Sequence, residues 1–195
     1  MLYKVLRAAF RFLLRPRIRF EGCENIPADG AVVLIINHCH AFDPVVVALA
    51  AQRPVHFLAK KELFASSAAS RFFKKLHCIP IDRDNMDRAA LREAVDVLKN
   101  QGVLGVFPEG TRSTTGELLP FKSGACYVAS QAPCAIVPVA VEGAGRLLRI
   151  FSAPAKVRFG TPFAYEALEG EKRRETLERM TRKQEDAVRA LLEMP

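Results

Sequence analysis

The stretch Val32-Val33-Leu34-Ile35-Ile36-Asn37-His38-Cys39-His40-Ala41-Phe42-Asp43-Pro44 decides the fold of this chain and locates its chemistry. A continuous run of branched apolar residues suits a strand buried on both faces, as in a parallel sheet covered by helices. Polar residues follow at once. Asp43 then suits a helix N-cap and Pro44 the first helical position. Five positions along a regular helix rotate by about 500°, which would leave His38 and Asp43 roughly 140° apart. Pro44 also biases Asp43 away from helical dihedrals. The spacing therefore predicts a turn that folds the carboxylate back onto the imidazole. That turn would sit at the carboxyl end of a strand, where open α/β sheets gather ligand sites. Histidine titrates near neutrality, and a carboxylate can fix its tautomer and stabilise its cation. Such a pair is a base without a nucleophile of its own; the nucleophile would belong to the substrate.

The same alternation continues outward. Apolar runs at residues 31–36, 55–59, 78–81, 103–107, 135–141 and 156–159 read as strands. Helical patterns fall at 44–51, 60–76, 85–101, 123–131 and 165–193, and Gly102 reads as a C-terminal glycine of the third. Buried strands separated by helices predict a single α/β domain, with a mostly parallel or mixed central sheet flanked by helices. At 195 residues the chain can bury a full core without staples. No repeat or low-complexity linker interrupts it.

Net charge is +8, and residues 1–20 carry most of it: Lys4, Arg7, Arg11, Arg15, Arg17 and Arg19, with no acidic residue. Leu2, Val5, Leu6, Ala9, Phe10, Leu13 and Leu14 recur at helical spacing before Pro16 ends the pattern. This predicts a basic amphipathic helix of the kind that lies in a membrane interface. Packing on the domain, a targeting segment or a nucleic-acid arm are the competing readings. A secretory signal needs a longer uncharged core and a cleavage site. Nucleic-acid binding wants basic residues mixed with aromatics elsewhere in the chain; that pattern is missing, and no nucleic-acid partner is expected. The expected division is a membrane-surface helix over 1–20 and a main domain over 21–195. No run of about 18 apolar residues lacks a charge or proline, so no transmembrane helix is expected. Five scattered cysteines without metal-type spacing fit a reducing compartment.

Two further segments follow strands. In Phe107-Pro108-Glu109-Gly110-Thr111-Arg112-Ser113, proline stops the strand, Gly110 permits close backbone approach, and Arg112 offers a planar fork suited to phosphate. In Ile79-Pro80-Ile81-Asp82-Arg83 a second arginine follows a short strand. Two arginines at two strand ends could clamp one phosphate.

Together these segments resemble the glycerophospholipid acyltransferase family, most closely its lysophosphatidate acyltransferases. The resemblance rests on four ordered blocks: Asn37-His38 with Asp43; Arg83 after its strand; Phe107 to Ser113; and Ile136-Val137-Pro138-Val139. Lys60-Lys61-Glu62-Leu63 and Phe121-Lys122-Ser123-Gly124 also look familial. The chain departs from the pattern at Leu76-His77-Cys78-Ile79, where the family commonly has a glycine and an aromatic.

The resemblance implies transfer of an acyl group from a thioester, acyl-CoA or acyl-carrier protein, to the 2-hydroxyl of 1-acylglycerol-3-phosphate. His38 would be the base, Asp43 its orienting partner, and backbone N–H groups around Gly110 the oxyanion donors. Arg83, Glu109, Thr111 and Arg112 would bind substrate. No cofactor or metal is implied, and the enzyme would work at the cytoplasmic face of a membrane. The alternatives are the same chemistry on another lysolipid, a metal-dependent hydrolase using His38, His40 and Asp43, and a non-catalytic membrane adaptor.

Overall fold

The computed structural model describes residues 2–82, 87–147 and 153–195. Arg83, one of the expected substrate ligands, lies outside the described residues. The chain forms α1 (Leu2–Leu14), β1 (Ile18–Glu21), β2 (Val32–Ile36), α2 (Asp43–Ala50), β3 (Val55–Lys60), α3 (Ser67–Lys75), β4 (Cys78–Ile81), α4 (Arg88–Lys99) and β5 (Val103–Val106). It continues with α5 (Gly124–Ala129), β6 (Ala135–Glu142), β7 (Ala155–Phe159), β8 (Phe163–Ala164) and α6 (Arg173–Leu192).

The strands make one mixed sheet in the order β1-β7-β6-β2-β5-β3-β4, with β8 paired to β6. β6, β2, β5, β3 and β4 run parallel, while β7 and β8 run antiparallel to β6. β2 is central and every one of its residues is buried. Burying each such side chain contributes about 1.5–3 kcal/mol. Alternate β2 residues serve two cores. Val32, Leu34 and Ile36 pack with Val46, Val47 and Leu49 of α2. Val33 and Ile35 join the core that holds Ala94 and Leu98 of α4, Cys126 of α5 and Met180 of α6. Right-handed crossovers explain the division. The steps from β2 to β3 and β3 to β4 advance across the sheet, with α2 on one face, and the return steps through α4 and α5 cover the other.

Several boundaries differ from the sequence expectation. Residues 60–76 do not make one helix: a 3-10 turn at Lys61–Phe64 gives way to α3, because the Ser66 hydroxyl caps the new helix by accepting from Ala69 N at 3.1 Å. The helix ahead of Gly102 closes with Gln101, not Gly102, in the left-handed conformation (φ 59°). Gly102 is needed for another reason: its N–H bonds Val97 O at 2.8 Å, and a Cβ there would meet Val97 Cγ1 at 2.7 Å. The last helix begins at Arg173, since the chain first forms β8 and a turn at Gly170 (φ 77°). β1 was not expected at all. Its four residues alternate and include two charges, and pairing with β7 makes it a strand that runs across residue 20.

α1 lies on the α2 side of the molecule. The Tyr3 hydroxyl accepts from Val55 N at 3.3 Å, and the Arg7 guanidinium donates to Ala51 O. Leu14 packs against the adjoining core, while Val5, Phe10, Phe12 and Leu13 stay exposed.

Candidate active site

The site forms where β2 and β5 end. His38 Nδ1 and Asp43 Oδ2 are 2.9 Å apart, and the two residues are 6% and 1% exposed. The expected turn is therefore present, with one change. Asp43 is the first residue of α2, not its cap, and Phe42 occupies the cap position. Its carboxylate caps the preceding turn instead: Oδ2 accepts from Cys39 N at 2.8 Å and His40 N at 2.7 Å as well as from the imidazole. Three donors converge on one buried oxygen and fix it in place. With Nδ1 committed to Asp43, the proton-accepting nitrogen of His38 is Nε2, which has no hydrogen-bond partner among the described residues. The Phe107 ring lies against the imidazole, with centroids 4.2 Å apart.

Glu109 turns out to brace the site. It is 3% exposed, and its two oxygens bridge two segments. Oε1 accepts from His38 N at 2.6 Å and Oε2 from Leu119 N at 3.1 Å. Burial pushes its pKa up from the ordinary value, against the lowering effect of those two N–H donors. Ser113 N donates to His38 O at 2.7 Å. The backbone of His38 is thus held on both sides by the segment after β5.

Gly110 adopts φ 72°, and its N–H donates to Phe107 O at 3.1 Å. That N–H is spent on the turn. Thr111 and Arg112 are exposed at the rim, and neither backbone N–H has an acceptor among the described residues. A Cβ on Gly110 would stand 2.9 Å from Lys122 Nζ, so this ammonium lies directly over the glycine. Lys122 N is tied to Pro108 O at 2.9 Å, which sets that approach.

Three contributions were not legible in the sequence. Asn37 works as a piece of strand: Nδ2 donates to Val141 O at 3.0 Å, and Oδ1 accepts from Val141 N at 2.7 Å, joining the end of β2 to β6. Ser113 and Lys122 are the others. Asn37 and Ser113 stand in the ordered blocks and Lys122 in the familial Phe121–Gly124 stretch, but only the fold shows what each touches. A cleft of about 780 Å³ opens on the Asp43 side of the dyad, walled by Cys39, His40, Asp43, Gly143 and Arg146 but not by His38. The Cys39 thiol faces it with its pKa raised by burial and by the nearby Asp43 and Glu109 carboxylates. Among the described residues no three His, Cys, Asp or Glu side chains converge as metal ligands.

This strand-end dyad, braced by a second strand-end loop, accompanies a direct family match: the acyltransferase family model covers residues 17–142. The chain belongs to the acyltransferase family. It is 32% identical over 145 residues to the 1-acyl-sn-glycerol-3-phosphate acyltransferase of Bacillus subtilis (strain 168), covering 73% of this chain and 72% of that protein. It is 31% identical over 169 residues to the coconut (Cocos nucifera) protein of the same name, covering 83% of this chain but 54% of that longer protein. The crystal structure of the 1-acyl-sn-glycerophosphate acyltransferase from Thermotoga maritima superposes with a TM-score of 0.73 at 25% identity, over 97% of this chain and 78% of that one. The match supports an enzyme that transfers acyl groups. No described helix of this acyltransferase is long and apolar enough to cross a membrane.

Proposed function

We propose that this acyltransferase moves a fatty acyl group from acyl-CoA or acyl-carrier protein to the 2-hydroxyl of 1-acylglycerol-3-phosphate, giving phosphatidic acid for phospholipid synthesis. The observation that carries the reading is the buried 2.9 Å contact of His38 with Asp43, which leaves Nε2 as the base. The names of the relatives support the acceptor.

His38 Nε2 takes the proton of the acceptor hydroxyl as its oxygen attacks the thioester carbonyl. A C–O bond forms, and the carbonyl electrons move onto oxygen. Asp43 stabilises the imidazolium. The backbone N–H groups of Thr111 and Arg112, beyond the Gly110 turn, receive the oxyanion; losing one such donor costs about 3 kcal/mol. Collapse of the intermediate breaks the C–S bond, and the imidazolium returns its proton to the departing thiolate. No acyl-enzyme is required. Arg112 and Arg83 bind the acceptor phosphate, joined by Lys122 above Gly110. α1 holds the enzyme to the cytoplasmic face of a membrane through its exposed Phe12 and Leu13.

The test is thiol release across a matrix of acyl donors and lysolipid acceptors. The expected result is turnover that requires a phosphate-bearing acceptor and disappears in His38→Ala. Equal turnover of acceptors without phosphate would transfer the assignment to another lysolipid. Thiol release unaffected by His38→Ala would remove the base mechanism.

A further inference from the structure

Residues 60–76 contain no buried residue, although they include Leu63, Phe64, Phe72, Phe73 and Leu76. Neither core takes a side chain from this stretch. Its aromatic rings pack on one another instead: Phe64 on Phe73 and Phe73 on Phe72, each pair with centroids 5.5 Å apart. Leu63 and Phe72 are nearly half exposed. An apolar cluster this open in water is characteristic of a docking surface.

Charge says what docks. The same seventeen positions carry Lys60, Lys61, Arg71, Lys74 and Lys75. Lys60 pairs with Glu62 at 3.5 Å and Lys61 with Asp82 at 2.6 Å, so the net positive charge is that of Arg71, Lys74 and Lys75. α3 itself carries three cations and no acid. Amphipathic helices with this pairing of aromatic and basic residues settle into the headgroup region of anionic lipid.

Position selects a bilayer over a soluble acidic protein. Leu34 and Phe57 both pair with Gly105, so Lys60 stands level with Asn37 and Pro108 at the active-site edge of the sheet. At its other end the stretch reaches α1: His77 follows α3, and its ring meets Tyr3 with centroids 5.1 Å apart. The exposed apolar side chains of α1 and those of residues 60–76 therefore belong to adjoining elements, which meet at Tyr3 and His77 near the amino edge of the parallel strands while Lys60 reaches the active-site edge.

We propose that residues 60–76 form a second lipid-contact surface, which enters the headgroup region of an anionic bilayer together with α1. This rests on the reading of the acceptor as a membrane lipid and adds the element that presents the site to it.

The chain has no tryptophan, so single-tryptophan variants report insertion without background. Phe72→Trp, Phe12→Trp on α1, and Leu168→Trp, an exposed position before α6, would be titrated with vesicles of phosphatidylcholine alone or mixed with phosphatidylglycerol. The expected result is a blue shift and quenching by brominated acyl chains for Phe72→Trp and Phe12→Trp on the anionic vesicles, with Leu168→Trp unchanged. Lys74→Gln with Lys75→Gln should weaken vesicle binding roughly 30-fold. A Phe72→Trp signal that stays water-exposed while Phe12→Trp inserts would overturn the proposal. So would protection of Phe72→Trp by acyl-carrier protein but not by vesicles. Turnover of detergent-dispersed lysophosphatidate, measured in parallel, separates the two readings. Normal turnover without the Phe72→Trp shift removes the surface alone, whereas an intact shift without turnover removes the substrate assignment alone.

Discussion

Residues 37–43 and residues 60–76 both leave the carboxyl end of a parallel strand, yet they have opposite fates. The first follows β2, the centre of the sheet, and the segment after β5 closes over it. His38 and Asp43 are buried there, and Asp43 accepts three hydrogen bonds. The second follows β3, one strand from the edge, and nothing in the described chain closes over it. Covered strand ends can hold a charge in one geometry, because each polar group has a partner and no water competes. Uncovered ends leave apolar groups available to something outside the chain.

The largest expected effect breaks the covered side of this comparison. His38→Ala should lower kcat by about 10²–10⁴, and it should lower Tm as well because it removes one of the three hydrogen bonds to the buried Asp43 carboxylate, measured by thiol release and calorimetry. Asp43→Asn should also cost catalysis, and because it touches all three of those hydrogen bonds it should lower Tm by several degrees. It weakens bonds to a charged acceptor that are each worth about 1.5–3 kcal/mol, and about 1 kcal/mol moves Tm by roughly 2–4 °C at this chain length. Gly110→Ala should destabilise by about 1–2 kcal/mol, the cost of a side chain at positive φ. Its kcat should fall as well, because the Lys122 ammonium must move; urea unfolding beside kinetics checks both.

Glu109→Gln sharpens the comparison through pH. Burial raises the Glu109 pKa above its ordinary 4.5, so the folded state binds this proton more tightly than the unfolded state. The resulting stability is fully present below the unfolded pKa and is lost as pH rises through the folded one. Wild type should therefore lose Tm relative to the glutamine variant as pH is raised past 4.5. The smallest effect belongs to the uncovered side. Phe72→Ser should change unfolding free energy by no more than about 0.5 kcal/mol, where truncating a buried phenylalanine costs about 3–5. A large loss of stability would mean that residues 60–76 are core after all.

β2, the turn after it and α2 were legible in the sequence because their signals are local: a branched apolar run, then Asp43-Pro44. The His38–Asp43 pair was legible for the same reason, since only a turn lets five positions bring the two together. β1 was not, because four residues with two charges form a strand only when β7 supplies the partner. The break at Ser66 was hidden by continuous helical periodicity on either side of it.

By itself the sequence determined the strand-turn-helix that carries the His38–Asp43 pair, since covalent spacing and side-chain branching act within a few residues. The tertiary structure alone decided that Glu109 would anchor His38 N from 71 positions away, that Lys122 would stand over Gly110, and that residues 60–76 would be left uncovered. These depend on strand order and register. Both are set by which apolar faces pack best across the whole sheet, a choice that no local window of residues contains.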